Sequence, residues 1–498
     1  VSILLRNARI VGRTQALRDV LIDGDRIRAI APGVVGASAP DAEVVDLDGR
    51  FLGPGLWDSH VHFGQWALVS LRLDVSGARS AAEAAAIVRD HLATDPPGAG
   101  EVVVGFGFRD GLWPDAPTAE LLEVGDVPVA LISGDVHCLW SNRALLRRMG
   151  LPDTDTLLRE QAAFDLNVRL SEVPEATRDA WALEAAERAA SRGVVGVVDL
   201  EMRDAVGAWR RRFAAGFRGL RVRAGVYPDD LDTVVAAGIR TGSVVGGSDG
   251  LLVGGPFKLF TDGSLNTRTA WCADPYPGLT GHESHGLASY EFPELVSRAR
   301  EAYRHGLVPT IHAIGDLAVT QALDVFEALP FEDLHLAPGT HRGSIEHAQL
   351  VSAPDLPRFA ELGVRASVQP EHAIDDRDVA DHYWAGRTDR AFAYRALLDA
   401  GAELALGSDA PVAPLDPWVT LAAAVFRTRD GREPWHPEQA LPIADALRAS
   451  QGGVARVDPG GPADLVVTER DPAVSSGDEL RTMAVHATMV AGRWTYRA

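Results

Sequence analysis

Short apolar, β-rich runs alternate with Ala-, Leu- and Arg-rich stretches from about Phe51 to Ala449. The runs that read as strands are Phe51 to Trp57, Val194 to Leu200, Val222 to Tyr227, Pro256 to Phe260, Val308 to Ile311, Gly343 to Ile345, Arg365 to Val368 and Glu403 to Leu406. Their apolar character is continuous, whereas a strand with one wet face alternates with period two, so both faces are expected to be covered. Eight such strands with helices between them predict an α/β fold, a parallel (β/α)8 TIM barrel over residues 53–449. The interval between the first two runs far exceeds the roughly 30 residues of one βα unit. Residues 64–180 are therefore expected to form an insertion near the barrel mouth. An open α/β sheet is the rival fold, but no Gly-rich phosphate loop follows the first run.

Both chain ends carry shorter β-like runs. Ser2 to Leu5, Val20 to Ile22, Ile27 to Ile30 and Val44 to Leu47 are punctuated by Asp23-Gly24 and Asp48-Gly49 turns, and Asp464 to Thr468 and Met483 to Tyr496 repeat the style. Neither end has enough strands for a core of its own. The two are expected to combine, residues 1–52 with 450–498, into one composite β-sandwich domain.

No stretch approaches the roughly 18 to 20 apolar residues of a membrane-spanning helix, and the first 30 residues have no apolar signal core, so a cytoplasmic protein without membrane contact is expected. Charge narrows the partners: 48 basic against 69 acidic residues give −21, which repels a phosphate backbone and argues for a small-molecule substrate over nucleic acid. Two cysteines, Cys138 and Cys272, are too few for a disulfide framework and read as buried thiols. The basic residues hold one sharper fact. Of the 48, 47 are Arg, and the single Lys is Lys258.

Chemistry collects at the C-terminal ends of the predicted strands. The first carries Asp58-Ser-His60-Val-His62, the fourth Lys258-Leu-Phe-Thr-Asp262, the fifth His312, the sixth Glu346-His347, the seventh Gln369-Pro-Glu-His372 and the eighth Gly407-Ser-Asp409. A His-x-His pair alone is expected about 0.5 times by chance in such a chain, and a lone histidine is more often structural than a ligand. In a barrel, however, all these ends face one mouth. Residues i and i+2 of a strand point the same way, so His60 and His62 can grip one cation, and imidazole with carboxylate suits Zn2+, Fe2+ or Mn2+.

These motifs carry a family resemblance. Pro54-Gly-Leu-Trp-Asp-Ser-His-Val-His62, Asp135-Val-His-Cys-Leu-Trp-Ser-Asn142, Lys258-Leu-Phe-Thr-Asp-Gly-Ser264, Ile311-His-Ala-Ile-Gly-Asp316, Ile345-Glu-His-Ala-Gln349 and Gly407-Ser-Asp-Ala-Pro-Val412 stand in an order that resembles the amidohydrolase superfamily, in its family 3 branch with the N-substituted formamide deformylases. The resemblance implies a metal-dependent hydrolase with two divalent cations, zinc first and iron or manganese as alternatives. It places His60, His62 and Asp409 at the more buried metal, His312 and His347 at the more exposed one, and Lys258, N6-carboxylated, as the bridge. Arg could not serve there, because guanidinium stays protonated and is a poor nucleophile towards CO2. A buried, ion-paired Lys258 is the bland alternative.

The expected reaction is hydrolysis of an amide, N-formyl or cyclic amide C–N bond by a metal-activated hydroxide, with Asp409 as general base and then acid. His137, Trp140, Asn142 and His372 are the candidate substrate contacts, and Trp66, Trp113, Trp271, Tyr383 and Trp384 candidate walls of an apolar pocket. A metal-dependent isomerase or decarboxylase could use the same ligands, and a non-catalytic binding protein is the third reading. The resemblance makes a homodimer the expected assembly.

Overall fold

The structure, a computed structural model, describes every residue except 1, 14–15, 34–40, 99, 153–156, 171–172 and 330–340. Its centre is a nearly closed parallel barrel. We number the barrel strands β1 (Leu56–Val61), β2 (Val194–Asp199), β3 (Arg221–Val226), β4 (Leu252–Phe260), β5 (Pro309–Ala313), β6 (Ser344–His347), β7 (Arg365–Val368) and β8 (Leu404–Leu406). They pair in this order, each parallel to the next. The expected fold class holds, and the strands are buried on both faces, which explains their unbroken apolar runs. The helices between them are amphipathic. Phe292–Arg304, for example, buries Leu295, Val296, Ala299, Ala302 and Tyr303, a spacing that keeps one helical face inward. Each fully buried aliphatic side chain of this layer contributes about 1.5–3 kcal/mol.

The first predicted strand differs from the observed one. Phe51–Pro54 and Leu56–Val61 are two strands in two different sheets, broken at Gly55. A Cβ on Gly55 would lie 2.1 Å from a methyl of Val195, so only glycine allows this crossing. The break moves β1 forward and puts His60 inside the strand, with His62 just beyond it.

Strands of both chain ends form one eight-stranded sheet, in the order Arg493–Arg497, Val485–Val490, Leu465–Thr468, Phe51–Pro54, Ser2–Ile10, Leu17–Asp23 and Arg26–Ala31, with Glu43–Asp46 beside Ser2–Ile10. Its core includes Leu5, Ile10, Val20, Ile22, Leu52, Leu465, Val467 and Met489.

Gly64–Ala182 together with Pro411–Ala413 form a separate compact unit. It holds a five-stranded sheet in which Val129–Ser133 is central, flanked by Val103–Phe108 and Cys138–Ser141. No helix among the described residues is long and apolar enough to cross a membrane.

Candidate metal centre

Barrel closure builds the site. The β1–β8 seam is stitched by the Asp409 N–H donating to the His60 carbonyl at 2.7 Å and the His62 N–H donating to the Ala410 carbonyl at 2.8 Å. Asp58, buried at the seam, accepts from the backbone N–H of His60 (3.1 Å) and of Ser408 (3.0 Å). One carboxylate therefore fixes the backbone on both sides of the seam. Burial pushes the Asp58 carboxyl up to about 6. Two ends of the site are held in left-handed backbone, His347 at φ 74° and Asp409 at φ 59°. For non-glycine residues such conformations cost about 1–3 kcal/mol each and gather where a side chain must be aimed.

The imidazoles and one carboxylate converge. Donor atoms of His60, His347 and Asp409 all lie within 4.8 Å of one another. Asp409 Oδ1 is 3.3 Å from Nε2 of His60 and 3.3 Å from Nε2 of His62. The His312 and His347 rings are 4.5 Å apart, and His372 stacks on His347 at 6.0 Å with its Nε2 3.8 Å from Asp409 Oδ2. Lys258, 1% exposed, has its Nζ over the Phe260 ring at 5.3 Å, with Glu346 and Asp409 as its acidic surroundings. The chain thus brings together His60, His62, Lys258, His312, His347, His372 and Asp409, drawn from β1, β4, β5, β6 and the ends of β7 and β8.

This donor set fits a divalent cation. Nδ1 of His62, Nδ1 of His347 and Nε2 of His372 are buried without a hydrogen-bond partner among the described residues. On His60 the short contact from Nδ1 to Glu346 Oε2, 2.7 Å, sets the Nδ1–H tautomer, so its Nε2 lone pair faces the Asp409 carboxylate. Two acceptors so placed repel unless a proton or a cation lies near both. Burial and the Lys258 ammonium pull His312 down to about 3 and lower His60 as well. Burial and the neighbouring His312 take His347 well below the ordinary histidine range. Burial also opposes protonation of His62, but the hydrogen bond to Asp409, together with the Asp409 and Glu201 charges, outweighs this and raises it. Against the pull of burial, His60, His62 and His347 hold the Asp409 carboxyl well below the carboxylate range. The cluster is mostly neutral imidazole beside one carboxylate, as a metal site requires.

The supporting roles of two strand-end residues, Glu346 and Asp262, escaped the sequence reading. Glu346 accepts from the Thr310 and Ser344 hydroxyls at 2.5 and 3.0 Å as well as from His60. Against the pull of burial, His60 above all, with the Lys258 charge, brings its carboxyl down to about 2. Asp262 accepts three backbone N–H groups, from Trp271, Ile314 and Gly315, and lies 3.5 Å from His312 Nε2. Both lie inside the quoted motifs, yet His60, Ile314 and Gly315, among their partners, are distant in the chain.

In the separate unit the expected substrate contacts have other work. Trp140 is fully buried, its ring against Phe108 and its indole N–H donating to the Thr118 carbonyl. Asn142 caps the helix Arg143–Met149: its Oδ1 accepts from Leu145 and Val129, and its amide donates to the Val127 carbonyl. These bonds are framework bonds, and they leave neither side chain a surface for substrate. His137 is partly exposed and holds Glu160 at 2.9 Å. Among the proposed wall residues, Trp384 is fully buried against Phe392, and Trp113 packs on Phe108.

Comparison with known proteins adds the lineage of this arrangement. The profile described as the amidohydrolase family matches residues 43–496. N-substituted formamide deformylase from Arthrobacter pascens is 28% identical, the match covering 100% of this chain and 98% of that protein. Protein LONG AFTER FAR-RED 3 from Arabidopsis thaliana is 28% identical over 91% of this chain and 83% of its own. Among solved structures, a metal-dependent hydrolase from Pyrococcus horikoshii superposes with a TM-score of 0.78 at 28% identity, covering 96% of this chain and 99% of that one.

Proposed function

The chain belongs to the amidohydrolase family, and on that premise we propose that it hydrolyses a non-peptide C–N bond, an amide, N-formyl amide or cyclic amide, in a small, partly apolar substrate. The observation that carries the reading is the convergence of His60, His347 and Asp409 donor atoms within 4.8 Å beside orphaned imidazole nitrogens. Two divalent cations, zinc foremost, are the proposed cofactors. His60, His62 and Asp409 would hold one and His312 and His347 the other, with Lys258 as a further proposed ligand. A divalent cation in such a site lowers the pKa of water and polarises a carbonyl.

Every other part falls to the chain itself. Asp409 takes the proton from the attacking water and passes it to the leaving nitrogen. Its Oδ2 faces His372, which is proposed to orient the substrate. Burial lowers the Lys258 pKa, favouring the neutral amine that attacks CO2. An N–C bond then forms, one proton leaves, and the resulting carbamate offers two oxygen donors where the ammonium offered none. The similarity to N-substituted formamide deformylase supports an N-formyl substrate with an apolar N-substituent.

The test is turnover of the metal-loaded protein against N-formyl amines, N-acyl amines and cyclic amides, reading released amine and acid. Release of amine supports hydrolysis. An isomerised or decarboxylated product without amine would replace it with the rival reading.

A further inference from the structure

The barrel holds a second concave site, at the end of the strands opposite the metal centre. A cavity of about 390 Å³ is lined there by residues at the N-terminal ends of the strands, among them Trp57, Arg221, Arg223, Ser344 and Arg365. A second cavity of about 720 Å³ shares Trp57, Arg221, Arg223, Gly250 and Leu251 with it, so the floor continues into a cleft lined by Asp464, Gly492 and Arg493.

The charges of the floor do not cancel. Arg221 pairs with Asp464 at 2.6 Å, and Arg365 pairs with Glu403 at 2.5 Å. Arg223 has a different setting. Its guanidinium lies 4.5 Å over the Trp57 ring and donates to the Gly452 carbonyl at 3.4 Å, and no carboxylate among the described residues pairs with it. Glu346, the one acid lining the smaller cavity among the described residues, is taken by His60, Thr310 and Ser344. Arg365 adds a buried Nε–H without an acceptor among the described residues. Burial, with the nearby Arg365 cation, brings Arg223 down to about 10, which marks a cation short of a counterion.

From the cavity, the uncompensated guanidinium and the free Nε–H we infer that the barrel floor binds a small oxyanion through Arg223, with Arg365 as a further donor. Guanidinium presents a planar fork that matches a carboxylate or phosphate edge bidentately, and stacking on Trp57 fixes that fork. The volume lies in the range of small-ligand pockets, roughly 300–1,000 Å³. The site shares no lining residue with the proposed metal ligands. It is therefore a second binding site, whose link to the metal centre is Glu346, which lines the cavity and holds His60.

The experiment is calorimetric titration of the metal-loaded protein with inorganic phosphate and, separately, with acetate, at constant ionic strength balanced by chloride. The metal centre is a competing oxyanion site, so the comparison is between wild type and Arg223→Met. The wild type is expected to show a binding event that weakens at least about tenfold in the variant, by loss of the bidentate contact. The stronger of the two probes tells whether the site prefers phosphate or carboxylate. If Arg223→Met does not fold, Arg223→Lys keeps the charge and the packed stem but loses the fork, and is expected to weaken the same event. Isotherms that coincide between wild type and a folded variant, or no heat beyond the chloride control, would overturn the inference.

Discussion

Replacing Glu346 with Gln separates the metal centre from the fold that carries it. The carboxylate is buried and fixes the His60 tautomer through a 2.7 Å contact between side chains that are 1% and 3% exposed. A second partner of this kind, acting on a metal-binding imidazole, is worth about 10- to 100-fold in metal affinity, or about 1.4–2.7 kcal/mol. The upper half of that range is expected here, because the bond is short, charge-assisted and dry. Gln keeps an acceptor for the Thr310 and Ser344 hydroxyls, so the loss of global stability stays near about 1 kcal/mol. The assay is metal competition against a chromogenic chelator, paired with urea unfolding of the same preparations. Metal affinity should fall much further than stability. An affinity within about twofold of wild type would refute the argument that Glu346 aims His60.

Other perturbations have distinct signatures. Asp409→Asn should retain the fold and lower kcat by about 10²- to 10⁴-fold, and a near-normal kcat would remove its role in proton transfer. Lys258→Arg should bind less metal per chain by elemental analysis and gain nothing from added bicarbonate, while wild-type protein without a carbamate by intact mass and in density would end the bridge assignment. Asn142→Ala removes a helix cap and orphans the Val129 N–H and Val127 carbonyl, for a loss of about 2–4 kcal/mol in urea unfolding with KM unchanged. Glu403 is held down to about 2, with His341 as the largest cause and Arg365 beside it. A depressed carboxylate adds stability above its unfolded pKa near 4.5 and loses it as pH falls towards 2. Glu403→Gln should therefore lose less stability than wild type between about pH 4.5 and 3, and parallel curves would contradict the assignment.

The strand ends were legible because a parallel barrel sends every C-terminal end to one face, so chemistry scattered over 350 residues of sequence needs no pairing information to be gathered. His60, His312, His347 and Asp409 stood among the strand-end candidates that rule gathers, and their metal roles came from the family resemblance. The boundary at Gly55 did carry a signal, the Gly53-Pro54-Gly55 breaker inside the run from Phe51 to Trp57, which the reading of that run as one strand passed over. Glu346 stood in plain view inside Ile345-Glu-His347, but its partner His60 is 286 positions away and nothing local connects them. The left-handed backbones of His347 and Asp409 left no mark in residue type, as neither is a glycine. Asn142 carried a capping signal, an Asn directly before a helical stretch, which the family motif overshadowed. Arg221, Arg223 and Arg365 read as ordinary strand arginines until the barrel set them around one cavity.

The central claim is a divalent cation centre among the strand-end histidines and Asp409. The most direct test is elemental analysis of protein purified without chelator, joined to anomalous diffraction from its crystals. About two equivalents of metal per chain are expected, with anomalous density among His60, His62, His312, His347 and Asp409. Protein that takes up no metal under any loading condition, or density remote from these side chains, would contradict it.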